Sequence, residues 1–257
     1  MADSDITVEL AGLAVGYNGV ALLQGIDLRI RRGEIVFILG GSGCGKSTLL
    51  KHIIGLLPPI AGTVRLCGED FSGASEADRL RMMRRFGVTY QGGALFGNLN
   101  LLENVMLPLE EFTDLPLEAR IETARLKLSQ VGLLNRTAHA PAEISGGMKK
   151  RASIARALAL DPDILFLDEP SAGLDPVTSA GLDRLIRGLA DSLNMTVVII
   201  SHELDSIKAI ADRAVFLDAS VKGVLDVGTP EYLRTESPHR EIRDFFNRTP
   251  VEIEENA

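Results

Sequence analysis

Lys46 and Ser47 close a glycine-rich run, Gly40-Gly41-Ser42-Gly43-Cys44-Gly45-Lys46-Ser47-Thr48, whose residue types and order suit a polyphosphate. Glycines let successive backbone N–H groups converge on an anion. A helix starting at the lysine adds the partial positive charge of its N-terminus. Lys46 would be a countercharge to the β- and γ-phosphates, and the Ser47 hydroxyl would ligate Mg²⁺. Glu34-Ile35-Val36-Phe37-Ile38-Leu39 reads as a buried strand before the loop, and Leu49-Leu50-Lys51-His52-Ile53-Ile54 as the helix after it. Strand, glycine turn and helix in that order point to nucleotide binding.

Other residues could complete the chemistry. Ile164-Leu165-Phe166-Leu167-Asp168-Glu169 places two carboxylates at the end of an apolar strand. In open α/β sheets, ligands bind at the carboxyl ends of the strands. Asp168 would hold Mg²⁺, and Glu169 is the candidate general base for an attacking water. An Asp-Glu pair can equally be a solvated strand end. Ser201-His202 ends another apolar strand, so His202 would reach the γ-phosphate or be structural. Gln91 follows Val88-Thr89-Tyr90 and would sense metal and water, although glutamine is common at strand ends. Ile144-Ser145-Gly146-Gly147-Met148 is a second anion candidate, with a serine and two bare N–H groups at a helix start. An ordinary serine cap with glycines in a tight turn has the same composition.

These side chains need a scaffold of alternating strands and helices. The 257 residues suit one large α/β domain with a sizeable core. A net charge of −8 gives no general attraction to nucleic acid, which is therefore not an expected partner. Of the two cysteines, Cys44 and Cys67, one lies in the phosphate loop, which argues for a reducing compartment rather than a disulfide. Met1-Ala2-Asp3-Ser4-Asp5 is acidic with no long apolar run behind it, so no signal peptide is expected. No apolar stretch is long enough to span a bilayer, so a membrane role would run through a partner.

Alternation predicts strands over Ile6-Thr7-Val8-Glu9-Leu10, Ile26-Asp27-Leu28-Arg29-Ile30 and Thr63-Val64-Arg65-Leu66, with Val15-Gly16-Tyr17-Asn18-Gly19 as a loop. Residues 91–162 read as a helical insertion in the α/β core, punctuated by Pro108 and Pro116. Within it, Ile121, Ala124, Leu128 and Val131 have helical spacing, and Ser145 opens a helix expected to run through Leu160. Asp175-Pro176 starts a helix with Leu182, Leu185, Ile186, Leu189 and Leu193 as its buried stripe. Thr196-Val197-Val198-Ile199-Ile200 is a further buried strand, and a strand pair closes the core at 215–218 and 223–227. The segment Glu241-Ile242-Arg243-Asp244-Phe245-Phe246 would dock on its own core or on a neighbouring subunit. The polar stretch 250–257 is expected to fray. The expected division is a nucleotide-binding core over 1–90 and 163–235, a helical subdomain over 91–162 and a tail over 236–257, all in one domain.

The order of these segments resembles an ATP-binding-cassette (ABC) ATPase over nearly the whole chain. Gly40 to Thr48, Gln91, Ile144 to Met148, Leu165 to Glu169, Ser171-Ala172-Gly173-Leu174-Asp175 and His202 match the Walker A loop, Q-loop, signature, Walker B strand, D-loop and switch histidine. The resemblance implies an α/β phosphate-loop NTPase (RecA-like) core with an N-terminal antiparallel β subdomain and an inserted helical subdomain. It implies ATP and Mg²⁺, the metal held by Ser47, Gln91 and Asp168. It also implies that Lys46, Gln91, Glu169 and His202 are catalytic. Nucleotide would contact Gly40, Gly41, Ser42, Gly43, Cys44, Gly45, Lys46, Ser47 and Thr48, with Tyr17 stacked on the adenine. Two copies would pair head to tail, each ATP lying between the Walker A loop of one and Ser145, Gly146 and Gly147 of the other.

The signature departs from the family's usual form: Met148 replaces the usual glutamine and Ile144 the common leucine. Met148, with Gln91-Gly92-Gly93-Ala94-Leu95-Phe96, Asn104-Val105-Met106-Leu107-Pro108-Leu109 and Lys149-Lys150-Arg151, resembles the ATPases of phospholipid-trafficking importers. These are the Mla-type (maintenance of lipid asymmetry) or mammalian-cell-entry systems, related to toluene-tolerance proteins. That resemblance implies an integral membrane permease, a small regulatory subunit and a lipid-binding mammalian-cell-entry protein as partners, at the cytoplasmic face of the inner membrane. A permease helix would dock beside Gln91 on Ala94, Leu95, Phe96 and Leu99, residues that could equally be core packing. The alternative within transporters is an importer for amino acids or other small solutes. Chromosome-handling cassettes need a long coiled-coil insertion, and translation factors of this type carry two cassettes. A phosphate-loop kinase would leave the signature segment and His202 unexplained.

Overall fold

Residues 5–249 are described by a computed structural model; the 250–257 stretch lies outside them. The chain begins with two long strands, β1 (Ile6–Tyr17) and β2 (Val20–Arg31). They are joined by Asn18 and Gly19, both with positive φ (53° and 76°). This is the asparagine-glycine hairpin turn whose twist matches that of the flanking strands. The expected loop over 15–19 is therefore largely strand, and Tyr17 is the last residue of β1. The Asn18-Gly19 pair was the signal for this hairpin.

Next come β3 (Ile35–Gly40), α1 (Lys46–Ile53), β4 (Ala61–Leu66), β5 (Glu69–Asp70), α2 (Glu76–Met83) and β6 (Phe86–Thr89). Three helices follow without a strand: α3 (Leu101–Phe112), α4 (Leu117–Gln130) and α5 (Gly146–Ala157). The chain then alternates through β7 (Ile164–Asp168), α6 (Pro176–Leu193), β8 (Thr196–Ile200), α7 (Leu204–Ile210) and β9 (Arg213–Asp218). It finishes with β10 (Gly223–Gly228), α8 (Pro230–Thr235) and α9 (Arg240–Asn247).

Two sheets result. One is antiparallel, in the order β2-β1-β4-β5; the other has six strands in the order β10-β9-β3-β8-β7-β6. In the second, β6, β7, β8, β3 and β9 run parallel and β10 is antiparallel. Its central strands are apolar on both sides, as a doubly covered parallel sheet requires. Ile35, Phe37, Leu39, Leu165, Leu167, Val197 and Ile199 face a helical core with residues of α3 to α9. Val36, Ile38, Ile164, Phe166, Val198 and Ile200 face a second core with α1 and the antiparallel sheet. Side-chain alternation along each strand separates the two cores.

Several local expectations are corrected. Pro108 lies inside α3 rather than breaking it. The missing proline N–H leaves the Asn104 carbonyl without its helical donor. The helix opened by Ser145 stops at Ala157, with Leu158 as its cap, short of Leu160. On α6 the buried stripe is Leu182, Ile186, Leu189 and Ala190; Leu193 is 41% exposed because it is the last helical residue. The amphipathic tail segment forms α9, and it packs on its own chain: Ile242 and Phe246 are buried in the helical core and Phe245 meets the Phe216 ring edge-on.

Candidate nucleotide-binding and hydrolysis site

Sheet order alone lines up most of the candidate side chains. The strand sequence β3-β8-β7-β6 is parallel throughout. The carboxyl ends of these strands therefore share one edge. Along it lie, in order, the phosphate loop after β3, His202 after β8, Asp168 and Glu169 at β7, and Gln91 after β6. With strands about 4.8 Å apart, the row from phosphate loop to Gln91 spans roughly 14 Å.

The loop is shaped by glycines where side chains could not go. Gly45 has φ 106° and caps α1 with no side-chain bond. A Cβ on Gly40 would lie 2.3 Å from the Leu217 carbonyl oxygen, whereas Gly41 and Gly43 face open space. The first intrahelical bond runs from the Leu49 N–H to the Gly45 carbonyl, so the N–H groups of Lys46, Ser47 and Thr48 point out of the helix tip unused by it. Lys46 Nζ donates to the Gly40 and Gly41 carbonyls at 2.8 and 2.9 Å; its approach to Cys44 Sγ is 3.9 Å. A thiol is a weak acceptor, which a phosphate oxygen would outcompete. Ser42 and Ser47 are exposed, while the Cys44 and Thr48 side chains turn inward. Tyr17, 48% exposed, reaches this helix through a 3.3 Å bond between its hydroxyl and Thr48 Oγ1. That bond pulls the phenol below its usual range.

Glu169 turns out of β7 with φ 49°, a left-handed conformation rare for such a residue. Its N–H donates to the Ile200 carbonyl at 2.8 Å. Its Oε1 accepts from His202 Nδ1 at 2.9 Å, which places the imidazole proton on Nδ1. Its Oε2 is buried without a partner, a costly state for a carboxylate oxygen. Burial, and then Glu169, hold the Asp168 carboxyl above its usual range, against the pull of Lys51, Lys46 and Lys150.

The donors assigned to Mg²⁺ fit it chemically. Ser47, Gln91 and Asp168 offer only hard oxygens. A carboxylate raised by burial and a like charge is one that a divalent cation would relieve. Among the described residues no three His, Cys, Asp or Glu side chains form a metal cage. A cation here would be shared with substrate phosphates, the common arrangement for Mg²⁺.

The signature segment stands apart from this row. Ser145 caps α5, its Oγ accepting from the Met148 N–H at 3.3 Å. The ordinary cap reading is therefore realised, and the hydroxyl proton remains as a donor. Gly147 is buried, and a Cβ there would lie 2.6 Å from Thr178 Cγ2, so its missing side chain lets α5 meet α6. Gly146 is exposed, with Leu174 of the D-loop 3.8 Å from where a Cβ would sit.

Sequence reasoning missed the groups that hold the Gln91 loop. Asn104, fully buried, accepts from the Phe96 N–H at 2.8 Å and donates to the Phe96, Leu99 and Asn100 carbonyls. A lone asparagine in an apolar helical run was its only signal. Arg156 of α5 donates to the Ala94 and Gly93 carbonyls and lies over the Phe96 ring, which is 54% exposed. Lys150 donates to the carbonyls of Gln91 and Glu169. Backbone partners such as these leave no mark in the sequence.

Comparison with known proteins agrees with this geometry. The family model for ABC transporters matches residues 23–172, more than half of the chain. The ATP-binding protein MlaF of the intermembrane phospholipid transport system of Haemophilus influenzae is 37% identical over 226 residues, covering 88% of this chain and 85% of that protein. A Mycobacterium tuberculosis ATP-binding protein named for ribonucleotide transport, mkl, is also 37% identical, over 94% of this chain and 67% of that protein. Among solved structures, the ATP-binding cassette MJ0796, a dimer in a post-hydrolysis state bound to ADP and Pi, is 30% identical with a TM-score of 0.77, over 86% of this chain and 98% of that one. CbiO1 of Clostridium perfringens, part of the transporter complex cbiONQ, is 27% identical with a TM-score of 0.82, over 96% of both chains. The family model over more than half of the chain and relatives at 37% identity over most of it show that the chain belongs to the ABC transporter family, as an ATP-binding ATPase.

Proposed function

We propose that two copies of this chain pair head to tail and hydrolyse ATP to drive phospholipid transport through a membrane permease. One observation carries the chemistry: the parallel-sheet edge that aligns Lys46, the His202–Glu169 pair, Asp168 and Gln91. The Lys46 ammonium and the outward N–H groups of α1 bind and orient the phosphates. Ser47, Asp168 and Gln91 hold Mg²⁺, which when bound supplies countercharge to the transferring phosphoryl. Glu169 takes a proton from the attacking water, and its unpartnered Oε2 is the atom suited to that role. His202 orients Glu169 by donating from Nδ1 to its Oε1, and lies beside the phosphate loop along the sheet edge.

Ser145 and Gly146 meet the partner's nucleotide. Their helix packs on β6, three strands along the parallel row from the β3 that leads into the phosphate loop, which favours this over their own loop. The MJ0796 cassette is dimeric in its ADP- and Pi-bound state, which supports the pairing. No described helix is long and apolar enough to cross a membrane. In this reading the permease holds the chain at the cytoplasmic face of the inner membrane, touching the exposed rim of the Gln91 loop. A small regulatory subunit and a lipid-binding protein complete the proposed assembly.

The phospholipid reading rests on the MlaF relatives and on Met148 with the Gln91 loop. Ribonucleotide or small-solute transport is the second reading, favoured by the mkl relative at equal identity. Glu169→Gln tests the catalytic part. It should bind ATP, lose hydrolysis by at least ~10²-fold and run as an ATP-bound dimer on size exclusion. Native turnover by that variant would show that another group handles the water. Lipid analysis of the purified complex with its permease tests the cargo: co-purifying phospholipid supports the first reading, and bound nucleoside phosphate the second.

A further inference from the structure

Helix α5 carries Ser145 at its tip, and about one and a half turns along it lies Lys150. Lys150 Nζ donates to the Glu169 carbonyl at 3.1 Å and to the Gln91 carbonyl. These two carbonyls lie just past the end of a ladder. The β6–β7 pairing stops at Thr89 and Leu167, although Asp168 still pairs with Ile200 of β8 on the other side. The ammonium thus supplies the cross-strand link that the ladder no longer can.

The link falls where the backbone is least able to hold itself. Glu169 is left-handed at φ 49°, and such a residue persists only where its surroundings over-determine it. One anchor is its N–H, bonded to the Ile200 carbonyl at 2.8 Å. The other is its carbonyl, which accepts from Lys150 Nζ at 3.1 Å and from the Ala172 N–H at 3.3 Å. The same helix grips the Gln91 loop again through Arg156, at 2.7 Å from the Ala94 carbonyl and 3.2 Å from that of Gly93.

We propose that Lys150 is a positioning residue for hydrolysis: it clamps the left-handed backbone at Glu169, and so the carboxylate, to the Gln91 loop and to the signature helix. This rests on Glu169 being the general base. Lys150 acts through the two backbone carbonyls that its Nζ engages. It keeps the base in register with the end of β6 and makes α5, Gln91 and Glu169 move as one body. An ammonium suits this task because one Nζ can donate to two carbonyls at once.

The test uses the full chain and three variants, Lys150→Met, Lys150→Arg and Glu169→Gln. Steady-state hydrolysis, affinity for a fluorescent ATP analogue with Mg²⁺, and melting temperature are measured on each. Lys150→Met should lower kcat at least ~10-fold, since ~1 Å of misplacement can cost ~10²-fold. Its KM and nucleotide affinity should stay within about twofold of native, the pattern of a lost transition-state contribution. Lys150→Arg, which keeps cationic donors, should recover most of that loss. Native kcat in Lys150→Met, with Glu169→Gln inactive, overturns the inference while leaving the base in place. So does a parallel loss of affinity, or a lowered melting temperature that Lys150→Arg does not restore, because either marks a merely structural role. Native turnover by Glu169→Gln removes the base itself, and the clamp with it.

Discussion

Two helix tips in this chain are built from similar small residues and finished in opposite ways. Helix α1 begins behind Gly45, with φ 106° and no side-chain cap. Helix α5 begins behind Ser145, whose hydroxyl accepts from the Met148 N–H. The first tip leaves its orphan donors for an anion; the second satisfies one of its own. Their glycines differ in the same sense. Gly41 and Gly43 face open space, whereas Gly147 lets α5 approach Thr178 on α6. A phosphate loop is shaped around its ligand. The α5 tip is capped by its own serine, and on the proposed function it is presented to a nucleotide held by the other copy.

Lys46→Ala is the sharpest way to break that comparison. Turnover, followed as phosphate release, should fall by ~10³-fold or more, because the transferring phosphoryl loses its fixed countercharge. Native turnover would remove the phosphate-loop assignment. Ser145→Ala sharpens the comparison from the other tip. A charge-assisted hydrogen bond is worth ~1.5–3 kcal/mol, so turnover should fall about 10- to 10²-fold. Loss of the cap should lower stability by ~1 kcal/mol, read by denaturant titration. A variant that lost stability but kept turnover would make Ser145 a cap and nothing more.

Gly147→Ala separates packing from phosphate contact. The new methyl would meet Thr178 Cγ2 at 2.6 Å, and overpacking of this kind costs ~1–3 kcal/mol. Thr178→Ser removes the methyl it meets, so the double variant should regain most of that stability in the same titration. Failure to regain it would place the cost in the backbone of the α5 tip instead.

The difference between the tips also sets what a sequence can tell. The apolar runs of β3, β7 and β8 and the carboxylates and histidine at their ends are legible because a doubly covered parallel sheet writes continuous hydrophobic strands and puts its chemistry at their carboxyl ends. Glycine spacing at 40–45 is legible because few other residues tolerate that backbone. The long β1–β2 hairpin was hidden behind Gly12 and Gly25, whose left-handed backbone makes β-bulges that interrupt the alternation while the pairing continues beyond them. Pro108 looked like punctuation because local propensity argues against it inside α3, and tertiary packing of Val105, Met106 and Leu109 overrides that. Lys150 and Arg156 bind backbone carbonyls of a distant loop, Asn104 those of the loop just before its own helix, and a carbonyl has no residue type to recognise.

Asp168→Asn is read through stability, where its expected effect is the smallest. Burial and the neighbouring Glu169 raise the Asp168 carboxyl above its usual range. For an acid raised in the folded state, the stabilising contribution is complete below the unfolded value of about 3.9 and is lost as pH rises through the folded value. At neutral pH the ionised Asp168 therefore weighs against the nucleotide-free fold. Asparagine keeps the shape and removes the charge. The variant should melt at a higher temperature than the native chain at pH 7, the gap should close below about pH 4, and hydrolysis should be lost. A lower melting point at pH 7 would mean that Lys51, Lys46 and Lys150 outweigh burial, and that the carboxylate supports the empty fold. The expected sign fits the buried, unpartnered Glu169 Oε2 and the left-handed Glu169 backbone next to it. All three place unfavourable features at the end of β7 that a bound cation and nucleotide would offset, while the self-capped α5 tip carries none of them.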